Sequence, residues 1–108
     1  MQAKAQQIAH LNDVLRQTLA GGRCVVTSGV AASPHMAEVL EAVRQYSFSG
    51  VDGNNPYGEN DFGAVEIAGQ KYFWKIDYYD LDLQFHSPDP TDPSVTRRVL
   101  TVMLANEY

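Results

Sequence analysis

The chain has 108 residues, of which 44% are hydrophobic and 19% charged, and a formal net charge of -5 at pH 7. That length holds one hydrophobic core and not two, and the composition is that of a globular protein; a disordered chain is excluded and a single domain over 1–108 is expected. No apolar run approaches the roughly 20 residues that span a bilayer, and the start MQAKAQQIAH lacks the apolar centre of a signal peptide, so the sequence points to a cytoplasmic protein without membrane contact.

Residues 3 to 19 place Ile8, Leu11, Leu15 and Leu19 at three- and four-residue spacing among polar residues, which predicts an amphipathic helix closed by Gly21 and Gly22. His10 lies off that stripe and reads as a surface residue. The run Arg23 to Ser28 reads as a short β-branched strand. Its Cys24 is the only cysteine, so no internal disulfide forms, and its apolar neighbours make it a core residue. Ser33 and Pro34 together signal a helix start, a hydroxyl cap followed by a ring whose fixed φ suits the first turn. Met36, Val39, Leu40 and Val43 then predict a core-packing helix to about Tyr46, while His35 near its N-terminus is a poor place for a cation.

A glycine-rich loop, GVDGNNPYGENDFG, covers residues 50 to 63. Asp52, Asn54, Asn55, Glu59, Asn60 and Asp61 offer oxygen atoms to a hard cation, but Pro56 and Tyr57 break the EF-hand spacing, and Asx turns account for the composition. Then comes FGAVEIAGQKYFWKIDYYDLDLQFH, with the only Trp and a concentration of Tyr and Phe. A two-residue turn at Gly69 and Gln70 would pair Ile67 with Tyr72, Val65 with Trp74 and Gly63 with Ile76. A second turn at Tyr79 and Asp80 would pair Tyr78 with Leu81, Ile76 with Leu83 and Trp74 with Phe85. Both turns turn the same side chains inward, which predicts a three-stranded antiparallel meander to which residues 23 to 28 could add a fourth strand. The other face would carry Glu66, Lys71, Phe73, Lys75, Asp77, Asp82, Gln84 and His86.

Three prolines make residues 87 to 93 an extended crossover. Asp92 as cap, Pro93 as first residue and the stripe Val95, Val99, Val102, Met103 predict a final helix, with Arg97 and Arg98 outside. The fold expected is α+β: an antiparallel sheet of three to four strands, with two helices from the N-terminal half and a C-terminal helix packed on one face.

Charge is unevenly distributed. Between Asp52 and Asp92 the acids Asp52, Glu59, Asp61, Glu66, Asp77, Asp80, Asp82, Asp89 and Asp92 face only Lys71 and Lys75. Phosphate contacts need clustered Lys and Arg, so direct nucleic-acid binding is not expected here; a basic protein partner or plain solubility fits the pattern. His10, His35 and His86 fall on separate elements, so no zinc site of known spacing, and no cofactor, is expected. The P-loop, the dinucleotide fingerprint and the nucleophile elbow are missing. Glu66, Lys75 and Asp61 only superficially suggest a metal-dependent nuclease. Lys75, Asp77, Tyr79 and His86 could share a patch for acid/base work, without a nucleophile or oxyanion donors beside them.

With PYGENDFG and WKIDYYD as its most specific motifs, and LNDVLRQTLAGGR, VVTSGVA and DPTDPSVTRRVLTVMLANEY around them, the sequence resembles the bacterial domain-of-unknown-function family 3768. The resemblance implies a small proteobacterial protein of the kind often encoded on plasmids, integrated elements and prophages, with no established activity. Such a setting makes one role coherent: inhibition of a host defence system, anti-CRISPR or anti-restriction, by occupying a basic nucleic-acid channel. Glu59, Asp61, Asp77, Asp80 and Asp82 would stand for phosphates and Tyr57 and Tyr79 would anchor the interface. The alternatives are an accessory or regulatory protein of another kind, or a small enzyme using the Lys75, Asp77 and His86 face.

Overall fold

The computed structural model describes residues 3–48 and 55–108. Helix α1 spans Lys4–Thr18, strand β1 Arg23–Val26, the single turn α2 Ser28–Ala31 and helix α3 Met36–Arg44. Strands β2 (Phe62–Ile67), β3 (Gln70–Tyr79) and β4 (Arg97–Leu104) follow, with short 3₁₀ turns at Pro93–Val95 and Ala105–Glu107. The strands form one sheet in the order β1-β4-β3-β2. The β2–β3 and β3–β4 pairs are antiparallel, whereas β1 pairs parallel with β4. The sheet is therefore mixed.

The β2–β3 hairpin forms with the inward face expected, but one turn position earlier. Ala68 and Gly69 take left-handed φ of 53° and 80°, the requirement of a turn whose twist matches two antiparallel strands. Val65 now faces Tyr72 and Gly63 faces Trp74. Each partner moves by two residues, and because side chains alternate with period two, the buried row stays the same. Tyr72, Trp74, Ile76 and Tyr78 are all buried. Gly63 is required opposite the indole: a Cβ there would lie 2.4 Å from Trp74 Nε1 and 2.8 Å from the Tyr46 ring.

The third meander strand does not form. Residues 80 to 85 make a tight turn instead, and Tyr79 bridges to His86. The place beside β3 belongs to β4, which pairs with it from Tyr72↔Leu104 to Tyr79↔Arg97. The expected C-terminal helix is thus a strand. Asp92 does cap, accepting from Ser94 N at 2.9 Å, but the helical segment it opens is only Pro93–Val95. Beyond it, β-branched Val and Thr residues alternate across a ladder bonded on both sides, and that tertiary pairing overrides the helical spacing. Alternation also separates the adjacent arginines: Arg97 is exposed, while Arg98 is 3% exposed and turned inward.

One core cluster joins Ile8 and Leu15 of α1, Val30 of α2, and Val39 and Val43 of α3 to Tyr72, Trp74, Ile76, Tyr78, Leu100 and Val102 of the sheet. Burying this apolar surface is the main force holding the elements together. Trp74 is its centre, edge-on to Tyr46 and Phe48 at ring distances of 5.4 and 5.8 Å. The Arg16 guanidinium lies 5.4 Å from the Trp74 ring and donates to the carbonyls of Val43, Arg44 and Tyr46 at 3.0 to 3.1 Å. It thereby adds a donor to carbonyls in and just beyond the last turn of α3. Ser33 does not cap α3 directly. Its hydroxyl accepts from His35 N, two residues on, and bonds the Tyr72 hydroxyl, so the helix starts at Met36.

On the opposite face of the sheet Phe62, Phe73 and Tyr108 pack as three rings 5.2 to 5.7 Å apart. Phe73, the single apolar residue expected on that face of β3, is covered in this way.

Candidate functional site

β3 ends, β4 and β1 begin, and the chain enters β2 at the same end of the sheet. Loop 55–61 and turn 80–86 therefore lie together there, and they carry most of the residues expected to bind a partner. Loop 55–61 is fixed by Asn55, which donates to Asn60 Oδ1 and accepts from Asn60 N at 2.8 and 2.9 Å. Asn60 has φ of 57°, a conformation asparagine tolerates better than most residues. Its amide also donates to both carboxylate oxygens of Asp13 at 3.2 Å.

Beneath the loop is a buried polar network. Asn12, fully buried on α1, donates to the Glu59 carbonyl at 2.9 Å and to the Tyr78 hydroxyl at 2.8 Å. Tyr78 in turn donates to the Glu59 carboxylate at 3.0 Å. Arg98 Nε donates to Asn12 Oδ1 at 2.8 Å, its Nη2 to the Pro90 carbonyl, and its guanidinium lies 5.0 Å from the Tyr78 ring. Burial, with the charges of Asp61 and Glu59 nearby, holds the Tyr78 phenol above its ordinary range. It is a structural hydroxyl and not a ready acid or base.

The expected binding residues separate into groups. Asp61 lies within electrostatic reach of both Glu59 and Asp77, although Glu59 bonds the inward Tyr78 and Asp77, one residue earlier on β3, alternates to the other face. Half-buried Asp61 has its carboxyl pushed up, first by burial and then by the charges of Glu59 and Asp77, which it feels together. Asp77 is also 2.9 Å from Lys75 Nζ, so its charge is partly neutralised within the protein, and Lys75 is raised in consequence. The Asp80 carboxylate accepts from Gln84 N at 3.0 Å and Phe85 N at 3.4 Å, so it closes its own turn. Asp82 and Tyr57 are exposed, Tyr57 at 79%. Tyr79 is half-buried, opposite Arg97 on β4.

Leu81, Leu83 and Phe85 were expected to be inward and are not. They stand 48%, 46% and 71% exposed on turn 80–86. Leu83 has φ of 59°, a left-handed conformation unfavourable for its side chain. His86 faces Tyr79 instead of Phe73, and its ring lies 6.2 Å from that of Tyr78. Lys75, Asp77 and Tyr79 keep one row on β3, but no described contact brings His86 to Lys75 or Asp77. Glu66 pairs with Lys71, not Lys75, so the nuclease-like grouping does not assemble. Among the described residues no group of three His, Cys, Asp or Glu side chains is placed to hold a metal ion. Asp52 and Asn54, part of the cation reading, lie outside the described residues. Cys24 is half-buried with its thiol raised by burial, as for an unreactive core cysteine.

Asn12 and Arg98 were not expected in the site. Asn12 did give a signal: it lies four residues after Ile8, so a polar side chain stood at a buried stripe position of α1.

A family model for proteins of unknown function, DUF3768, matches residues 26–107. The chain belongs to this DUF3768 family. No curated protein and no solved structure matches it. Within this DUF3768 chain the match contains the whole of loop 55–61 and turn 80–86, together with β2, β3 and β4, but leaves α1 outside. No described helix is long and apolar enough to cross a membrane.

Proposed function

We propose that this DUF3768 protein binds a basic protein surface through the end of its sheet, using Glu59, Asp61 and Asp77 with the apolar turn 80–86. The observation that carries the reading is a half-buried Asp61 that feels the charges of Glu59 and Asp77, at the end of the sheet where turn 80–86 holds Leu81, Leu83 and Phe85 in solvent. An arriving Lys or Arg would offset the like charge that Asp61 feels. Exposed apolar side chains next to them supply area for an interface core, and Tyr57, Tyr79, Asp80 and Asp82 fall on its rim. A nucleic-acid channel of a bacterial defence nuclease is a surface of this chemistry, and carboxylates in place of phosphates would make the protein an anti-CRISPR or anti-restriction inhibitor.

The test uses purified defence nuclease complexes with the tagged protein, measuring association against salt concentration and against competing DNA or RNA. Association is expected to weaken with salt, to be competed by nucleic acid, and to be lost in the Asp61→Asn/Asp77→Asn variant. Phe85→Ala should speed dissociation without altering the salt dependence. Association indifferent to salt and to the double substitution would sink the proposal.

A further inference from the structure

Besides Glu59, Asp61 and Asp77, the same end of the sheet carries a second surface of opposite character. A cavity of about 670 Å³ lies where β1 and β4 begin, between the Gly21–Gly22 corner, turn 80–86 and Pro93. Its volume is within the range of small-molecule sites. Arg23 and Arg97 line it, with Leu81, Leu83 and Val99. In the parallel ladder Arg23 lies opposite Val99, and Arg97 is two residues before Val99 on β4, so alternation puts all three on one face of the sheet. Both arginines are exposed, and neither has an ion pair among the described residues. No Asp or Glu contributes to the cavity wall, although acids outnumber bases 13 to 8 in the chain.

The corner is shaped by close packing. Gly22 sits so near β4 that a Cβ would lie 2.6 Å from the Arg98 carbonyl oxygen. Any larger residue would push the corner away from Arg97 and change the cavity floor.

We propose that this cavity binds a small organic anion carrying an aliphatic chain, with its carboxylate or phosphate head between Arg23 and Arg97 and its chain against Leu81, Leu83 and Val99. Two guanidinium groups without internal counter-ions favour a carboxylate or phosphate, which each can hold through paired N–H donors. The leucines, half-exposed without a ligand, lose water when an aliphatic chain covers them. The cavity shares Leu81 and Leu83 with the proposed protein-binding surface but not Glu59, Asp61 or Asp77, so Arg23→Gln and Arg97→Gln probe it without touching those acids.

The experiment is an amide chemical-shift titration of the full chain with octanoate, octyl phosphate and neutral octanol. Saturable shifts are expected at Gly22, Leu81, Leu83, Arg97 and Val99 for one or both anions, and the tighter anion identifies the head group. Arg23→Gln and Arg97→Gln should each weaken anion binding by about tenfold or more, since each removes charge-assisted bonds. Leu83→Ala should weaken it while leaving the preference for anion over octanol intact. Both arginines are exposed, so the variants should retain the wild-type spectrum elsewhere. Absence of saturable shifts, octanol binding as tight as the anions, or unchanged affinity in the Arg23→Gln/Arg97→Gln variant would overturn the proposal.

Discussion

The inner row of β3 and the turn that follows it carry the same chemistry into opposite environments. Tyr72, Trp74, Ile76 and Tyr78 alternate into the core and are at most 8% exposed. Leu81, Leu83 and Phe85 keep the two-residue spacing after a break in parity at residues 79 and 80, and each is close to half-exposed or more. What separates them is competition for one edge of β3. Residues 97 to 104 bond to that edge along eight positions and simultaneously to β1, so they displace the shorter adjacent segment. Proximity in the chain lowers the entropy of closing a hairpin only slowly with loop length, and a longer, better-packed ladder outweighs it. The displaced segment then becomes a surface.

The largest effect that would sharpen this contrast is on stability. Trp74→Ala should destabilise the protein by about 3–5 kcal/mol, as large aromatic truncations in closed cores do. Phe85→Ala should stay within about 0.5 kcal/mol, the ordinary range for surface positions. Paired urea titrations measure both, and comparable losses would break the distinction between the regions.

Next is the polar join between the core and the loop above it. Asn12→Leu keeps the branched shape and the number of heavy atoms but removes the acceptor for Arg98 Nε and the donor to Tyr78, leaving buried groups without partners. A loss of about 1–3 kcal/mol is expected, and faster amide exchange in loop 55–61 should accompany it. Retained stability with unchanged exchange would show that the network does not hold the loop.

Within the turn itself the expected change has the other sign. Leu83→Gly relieves a left-handed leucine at the expense of greater freedom in the unfolded chain, for a net gain on the order of 0.5–1 kcal/mol. Leu81→Gly has no such strain to relieve and should not stabilise. Thermal melts of the two variants compare them directly.

The smallest effect is the pH dependence of Asp61. Its folded pKa is raised above the unfolded value, so the folded state holds the proton more tightly and stability declines as pH rises from the ordinary aspartate range through the folded pKa. Asp61→Asn should flatten the stability profile across that window. A decline of equal size in the variant would place its origin elsewhere.

The inner face of the hairpin could be read from sequence because alternation in Val65, Tyr72, Trp74 and Ile76 survives a one-residue shift of the turn, which moves each partner by two. Ile8 and Leu15 of the α1 stripe and the Met36–Val43 segment were legible for the same reason, that periodicity is local, whereas Leu19, read as the end of that stripe, is the left-handed cap of the helix and 58% exposed. Whether Leu81, Leu83 and Phe85 or Val99, Leu100 and Val102 occupied the neighbouring slot was not, because that depends on two distant segments competing for the same backbone groups. The Val95, Val99, Val102, Met103 spacing suits a helix, and nothing within those residues announces the β3 and β1 edges that draw them into a strand. The fate of the acids was legible only in part. Asp80 was visible as a turn residue, whereas the approach of Asp61 to the end of β3, where its carbonyl accepts from Ile76 N, follows from β2 running alongside β3, and the pairing of Asp77 with Lys75 from their shared row.

The Asn12 and Arg16 contacts bear on where this unit can be cut. The family match starts at residue 26, yet the first helix delivers the amide that bonds Tyr78 and Arg98 and the guanidinium that gathers the last carbonyls of α3. A fragment trimmed to the matched span would forfeit the parallel edge strand as well. Expression boundaries, truncation libraries and fusions to this chain therefore belong ahead of Lys4, since the recognisable stretch and the cooperatively folding one do not coincide.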